Sequence, residues 1–376
     1  MNGAQLRTLI TRSLRTQGFR TRDGLILPSP EDDKEGLRKL HATAVQHRIA
    51  RSAPGLRRHE PWLLQKIAAG REVDPLRIRP TLVEVLADSE EELLFRYAAL
   101  HWAIPVSSGY GRRLRFLVID EQNEKLIGLI GLGDPVFNLA VRDDWIGWDK
   151  EAHRHHLQNV MDAFVLGAVP PYSMLLCGKL VAALVASREI HHAFQRKYGE
   201  RRSVIRRQAC DGRLALITTL SALGRSSIYN RLRFRDRMLF HSLGFSQGSG
   251  EFHFSNGLYG AIFDYAQRYC AATAKKNRWG VGFRNKREVI RKCLIKIGLP
   301  TDLLYHGVRR EVFAVPLARN TREFLRGEHS RLYRYNASSS ELFSWFRERW
   351  LLPRAEWDQR YREFTPESYG LWTAEA

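Results

Sequence analysis

The sequence predicts an α+β protein: a mixed sheet core flanked by helices, with helical regions before and after it. Three observations predict it. Apolar runs at 115–120 and 126–132 flank the polar turn Glu121-Gln122-Asn123-Glu124 and read as a hairpin. Further apolar runs at 164–169 and 214–219 alternate with long stretches of helical periodicity. Hydrophobic residues make up 44% of 376 positions, enough for a sizeable core.

The elements follow in order. Leu6, Leu9, Ile10 and Leu14 keep helical spacing, and Gly18 ends that run. Residues 19–28 read as a small hairpin or wing, and a second helix carries Leu37, Leu40, Ala44 and Val45. Helix, wing and helix suggest a winged-helix-like module; a helical collar on the core is the alternative. Pro75 and Pro80 bracket a linker. A strand at 82–85 precedes a helix capped by Ser89, with Glu92 three residues on. After the hairpin, Asp149 caps a helix over 150–163, and a long helix covers about 174–198. The strand at 214–219 opens through small polar residues into a short helix carrying Ile228, Tyr229 and Leu232, then a strand ending at Phe245. Helices at 257–269 and 286–298, a strand at 308–317 and a mostly helical 320–372 complete the chain. Three regions result: helical or winged-helix-like 1–80, the α/β core 81–272, and a basic, then helical 273–376.

Charge narrows the function. The net charge is +20 and the isoelectric point near 10.1, which points first to nucleic acid, DNA foremost. Residues 188–237 hold 13 Arg or Lys against 4 Asp or Glu. The candidate phosphate contacts there are Arg201, Arg202, Arg206, Arg207, Arg213 and Arg225, then Arg231, Arg233, Arg235 and Arg237. The last four alternate, as along one face of an extended segment. No long apolar run marks a membrane span. Cys177, Cys210, Cys270 and Cys293 lie far apart without CxxC or CxxH pairs, which argues against a zinc knuckle. The N-terminus is amphipathic and basic without an apolar signal core, so a cytoplasmic protein with reduced thiols is expected.

Three groups could carry chemistry. Asp134, Asp143, Asp144 and Asp149 are clustered carboxylates of the kind that hold Mg²⁺, but no nuclease pattern follows them, and no metal is expected. His153, His155 and His156 share a helix, where one could act as a general base or simply face solvent. Thr218, Thr219, Tyr229 and Asn230 lie where a strand opens into a helix, a common ligand position.

The strings Gly111-Arg112-Arg113-Leu114-Arg115-Phe116 and Arg142-Asp143-Asp144-Trp145-Ile146-Gly147-Trp148, with the segment 214–245, resemble the DruA family over roughly 82–255. That family is named for the Druantia anti-phage system of bacteria. The resemblance implies a defence component that works with other proteins of its system, a helicase-like one among them.

The element order is similar to that of the N-acetyltransferase (GNAT-type) fold. That likeness implies a cofactor site at Tyr172, Ser173, Gly178 and Lys179 with Thr218 and Thr219, and a catalytic pair, Tyr229 and Asn230. The turn Pro170-Pro171-Tyr172-Ser173 lacks the family's glycine-rich signature, so the cofactor stays unknown. The leading expectation is a nucleic-acid-binding defence protein. The rivals are a GNAT-like group-transfer enzyme acting on nucleic acid or protein, and a non-catalytic scaffold. An open cleft between 164–169 and 214–219 would favour the enzyme.

Overall fold

Runs of alternating and β-branched residues build a seven-stranded mixed sheet in the computed structural model. It describes residues 1–22, 25–27, 33–106, 111–202, 210–272, 279 and 283–372. The strands are β1 (Pro80–Glu84), β2 (Arg113–Asp120), β3 (Lys125–Gly133), β4 (Val160–Ala168), β5 (Leu216–Leu220), β6 (His241–Phe245) and β7 (Glu311–Pro316). Their order is β6-β7-β5-β4-β3-β2-β1. All neighbours are antiparallel except β4 and β5. These two pair in parallel from Val160↔Leu216 to Ala163↔Thr219. Beyond that point β4 runs on to Ala168 while β5 ends at Leu220, so the two part.

Opposite faces of the sheet feed different apolar clusters, as the two-residue period of a strand requires. Met161, Ala163, Ile217, Phe313 and Val315 pack with the helices Cys177–Leu184 and Arg188–Tyr198. On the other face Leu117, Leu129 and Val165 meet the helix Glu90–Ala98. Farther along that face, Val160, Leu216 and Ala314 meet Ile146 and Phe324. A separate cluster joins Leu6, Ile10, Leu37 and Leu40 to Ile262, Val289 and Ile290. The N-terminal helices thus pack on the helices Leu258–Tyr269 and Phe283–Lys296, which lie between β6 and β7 in sequence.

A bulge in β4 leaves Phe164 as the extra residue opposite the step from Gly131 to Leu132. Its ring lies against Gly131, where an added Cβ would come within 2.6 Å of Phe164 and Val165 side-chain atoms.

Several sequence expectations need correcting. The helix expected over 174–198 is two, broken at 185–187. Ser187 there is extended and wholly buried, and the Arg188 amide donates to the Ala337 carbonyl at 2.9 Å, so a tertiary contact sets the break. The helix capped by Asp149 stops at His156, because the chain from Val160 joins the sheet. The short helix near Tyr229 is one 3₁₀ turn, Tyr229–Arg231. The alternating arginines do not share one strand. Arg233–Phe234 pairs with Arg237–Met238, and Arg235 stands in the turn with φ +54°. The expected wing is present as Arg20–Arg22 paired with Leu25–Leu27.

Candidate functional site

Partly buried charged side chains meet near the point where the pairing of β4 and β5 ends. The Thr218 hydroxyl of β5 donates to Asp162 of β4 at 3.0 Å. Desolvation pushes the Asp162 carboxyl up to about 6, against that hydrogen bond and the Arg310 and Arg142 charges, which lower it. Arg310, just before β7, donates Nε to the Ser221 carbonyl at 2.6 Å. Burial brings its pKa down to about 10, while Asp162 and Tyr229 act the other way. The Arg310 guanidinium is therefore anchored at the end of β5, near enough to Asp162 of β4 for the two charges to influence each other.

Tyr229 is buried, its ring stacked on Phe240 at 4.6 Å and edge-on to Phe313 at 5.2 Å. Burial pushes its hydroxyl up to about 12, opposed by the Arg310 charge and a hydrogen bond with Thr219. Thr219 donates to the Ala163 carbonyl at 2.8 Å. Asn230 turns away from Tyr229, donating to the Ser226 carbonyl at 2.8 Å and to Glu311 at 3.3 Å. Glu311, 6% exposed, also accepts from the Ser226 amide at 3.0 Å and the Ser242 hydroxyl at 2.8 Å.

The structure does not join the expected cofactor residues into a phosphate cradle. Tyr172 is buried and donates to Asp120 at 2.9 Å. The amides of Ser173, Met174, Leu175, Leu176, Cys177 and Lys179 are all bonded within the turn, so they are not offered to an anion. Gly178 faces Ile228, and Lys179 lies over Trp350, 5.6 Å from its ring centre.

The expected carboxylates and histidines are engaged one by one. Asp134 pairs with Arg112 at 2.6 Å, Asp143 with the wholly buried Arg142 at 2.7 Å, and Asp149 caps its helix through the Ala152 amide. Asp144 is exposed. Gly147 ends the helix Ala140–Ile146 with φ +73°, and half-buried Trp148 donates to Asp143 at 3.2 Å. His153 bonds the Phe137 carbonyl, and His156 bonds Asn159.

The basic residues divide by role. Arg231, Arg233 and Arg235 are exposed around the buried Leu232 and Phe234. Arg237, on the return strand, lies 3.7 Å over the Tyr335 ring. Arg213 is bound to Asp211 and lies over Phe324 at 4.7 Å, which makes it partly architectural. Arg225 lies over Phe245. Arg201 and Arg202 follow the helix Arg188–Tyr198 and are exposed. Arg206 and Arg207 lie outside the described residues. Buried His191 on that helix feels the charges of both Arg334 and Arg237, so the hairpin and the helix are neighbours. Sequence reasoning missed Asp162, Arg310 and Glu311, whose partners are distant in the chain, and Arg142, whose partners Asp143, Val136 and Phe137 are local.

A sequence profile described as Druantia protein DruA matches residues 31–327, most of the chain. The chain belongs to the DruA family of Druantia anti-phage defence proteins. It is 40% identical over 360 residues to the Druantia protein DruA of Escherichia coli (strain UMEA 4076-1), covering 96% of this chain and 89% of that one. No solved structure matches it. The DruA match spans the whole seven-stranded sheet, the partly buried Asp162 and Arg310, and the arginine hairpin. Among the described residues, no helix is long and apolar enough to cross a membrane.

Proposed function

We propose that this DruA-family chain acts in the cytoplasm by binding nucleic acid, DNA foremost, through its arginine face, with partner proteins of its defence system. A helicase-like protein is the partner class we favour. The observation that carries the reading is the set of exposed Arg231, Arg233 and Arg235 at one hairpin near the start of the helix Arg188–Tyr198, with exposed Arg201 and Arg202 beyond that helix's other end. Opposing carboxylates are few: of these five, only Arg235 has an acidic partner among the described residues, Glu341 at 3.2 Å. Each phosphate such a surface neutralises steepens the salt dependence by about 0.9 in log–log slope on duplex DNA. The test is an anisotropy titration of duplex DNA at several salt concentrations. Arg201, Arg202, Arg231 and Arg233 changed together to Glu should weaken binding to all sequences alike and flatten the salt slope. Unchanged affinity would refute the assignment.

A GNAT-like core is the second reading. The parallel pairing and parting of β4 and β5, with a helix pair between them in sequence, favours it. On this reading Tyr229 would be the proton donor in a group transfer to nucleic acid or protein, with Asn230 beside it in sequence. Against a bound acyl-CoA stand the occupied turn amides. Calorimetric titration with acetyl-CoA should therefore give no heat of binding. Micromolar binding, lost when Gly178 is replaced by Trp, would promote the enzyme.

A further inference from the structure

On the far side of the Arg188–Tyr198 helix from the sheet interior, a cavity of about 1050 Å³ opens to solvent. The chain segment after β7 forms its other wall. Four guanidinium groups line it, those of Arg213, Arg319, Arg331 and Arg334, against one carboxylate, that of Asp211. The Asp211 carboxylate is already spent on Arg213 at 2.7 Å. Arg319 and Arg331 are exposed and have no acidic partner among the described residues. Arg334 is partly buried, and its Nε has no hydrogen-bond partner there. Burial and the neighbouring Arg213 charge both disfavour the Arg334 cation. A buried donor without an acceptor is costly, and an arriving anion would remove that cost.

The cavity also holds an aromatic face. Tyr333 is 52% exposed, and its backbone is fixed on both sides. Its amide donates to Asn320 at 2.9 Å, and its carbonyl accepts from the Arg319 amide at 2.9 Å. The same backbone bond thus ties one guanidinium-bearing residue to the ring. A flat, held aromatic beside cationic forks suits a base with its phosphate. The depression, about 1050 Å³ and open to solvent, has room for a nucleotide, and a base stacked within a duplex offers no free face to the ring.

We propose that this cavity seats a single-stranded nucleic-acid segment, with a backbone phosphate among Arg319, Arg331 and Arg334 and the adjoining base stacked on Tyr333. The inference rests on the nucleic-acid reading above and adds to it a place and a strand preference. It makes the arginine hairpin the outer, form-tolerant contact and the cavity the contact that requires an unpaired, flexible strand.

The test uses the full chain, with fluorescein-labelled oligothymidylate and a duplex of the same length as probes. Tyr333→Ala, and Arg319→Ala combined with Arg331→Ala, alter exposed side chains and should leave the circular dichroism spectrum unchanged. Each should weaken single-strand binding by about fivefold or more, the low end of aromatic–base stacking, and duplex binding far less. The arginine pair should also lower the single-strand salt slope by about 0.7, one phosphate. Tyr333→Phe keeps the ring and should keep the affinity. Equal losses on both probes, or none on the single strand, would overturn the cavity assignment. Loss of duplex binding on changing Arg231 and Arg233 to Glu would still uphold the broader reading in that case. Wild-type chain that binds neither probe overturns that broader reading itself. Thymidine monophosphate competing as well as the oligonucleotide, nucleotide for nucleotide, would also overturn the proposal and leave a mononucleotide pocket.

Discussion

Replacing Glu311 by Ala removes a carboxylate that ties three chain segments together. Its oxygens accept from the Ser226 amide at 3.0 Å, the Ser242 hydroxyl at 2.8 Å and Asn230 at 3.3 Å. The first two are sound charge-assisted bonds; the third is long and counts for little. Hydrogen bonds to charged groups contribute about 1.5–3 kcal/mol each, and the variant also strands two donors in the interior. The expected loss is therefore about 3–5 kcal/mol, the size seen when one partner of a buried charged contact is deleted. Glu311→Gln keeps the shape and one acceptor, and should cost less. The assay is urea denaturation with a double-mutant cycle against Ser242→Ala. Ser242→Ala should cost about 1–3 kcal/mol in the wild type and nearly nothing once Glu311 is Ala. A loss below about 1 kcal/mol for Glu311→Ala, or additive effects in the cycle, would refute the reasoning.

Two further outcomes concern stability. Trp148 is half-buried with one hydrogen bond, so Trp148→Ala should fall short of the ~3–5 kcal/mol of a fully buried indole; thermal denaturation checks it. Asp162 holds its proton more tightly when folded, about 6 against an ordinary 3.8, a difference worth on the order of 3 kcal/mol. The folded state thus binds the extra proton, and stability contributed by this group falls as pH rises from about 4 to about 6 and is level above that. Asp162→Asn should remove that slope, read from denaturation midpoints across the window. An unchanged pH profile would show that Asp162 is not desolvated.

Much of the fold was legible because it is local. The β2–β3 hairpin shows in two apolar runs around Glu121-Gln122-Asn123-Glu124, and Ser89 and Asp149 cap their helices as their side chains dictate. What was not legible depends on distant partners. Nothing between Leu184 and Arg188 predicts a break, because Ala337, far along the chain, supplies the acceptor that makes it. Arginines in one-letter sequence read as surface charge, so Arg142 gave no sign of burial and Arg310 none of its partial burial. Ser221, which accepts from Arg310, comes near only once the strands are assembled, and the Val136 and Phe137 carbonyls reach Arg142 only once the loop before its helix has folded back. The period-two arginines do not lie along one extended segment: Arg231 closes a 3₁₀ turn, Arg233 stands in a short strand, and the turn at Arg235 sends Arg237 back onto Tyr335.

The place of β7 has a consequence for how the protein comes into being. This strand is made after some 310 residues, yet it lies between β5 and β6 and hydrogen-bonds both. Until the ribosome has delivered it, β5 has an open edge and β6 has no neighbour in the sheet. A chain interrupted before Glu311 keeps apolar residues such as Ile217 beside unpaired backbone groups, the pattern that recruits other chains. Contacts this far apart in sequence also close slowly. The nascent protein therefore stays incomplete at its centre from the making of β5 until β7 follows, and fragments that end between the two would be prone to aggregate.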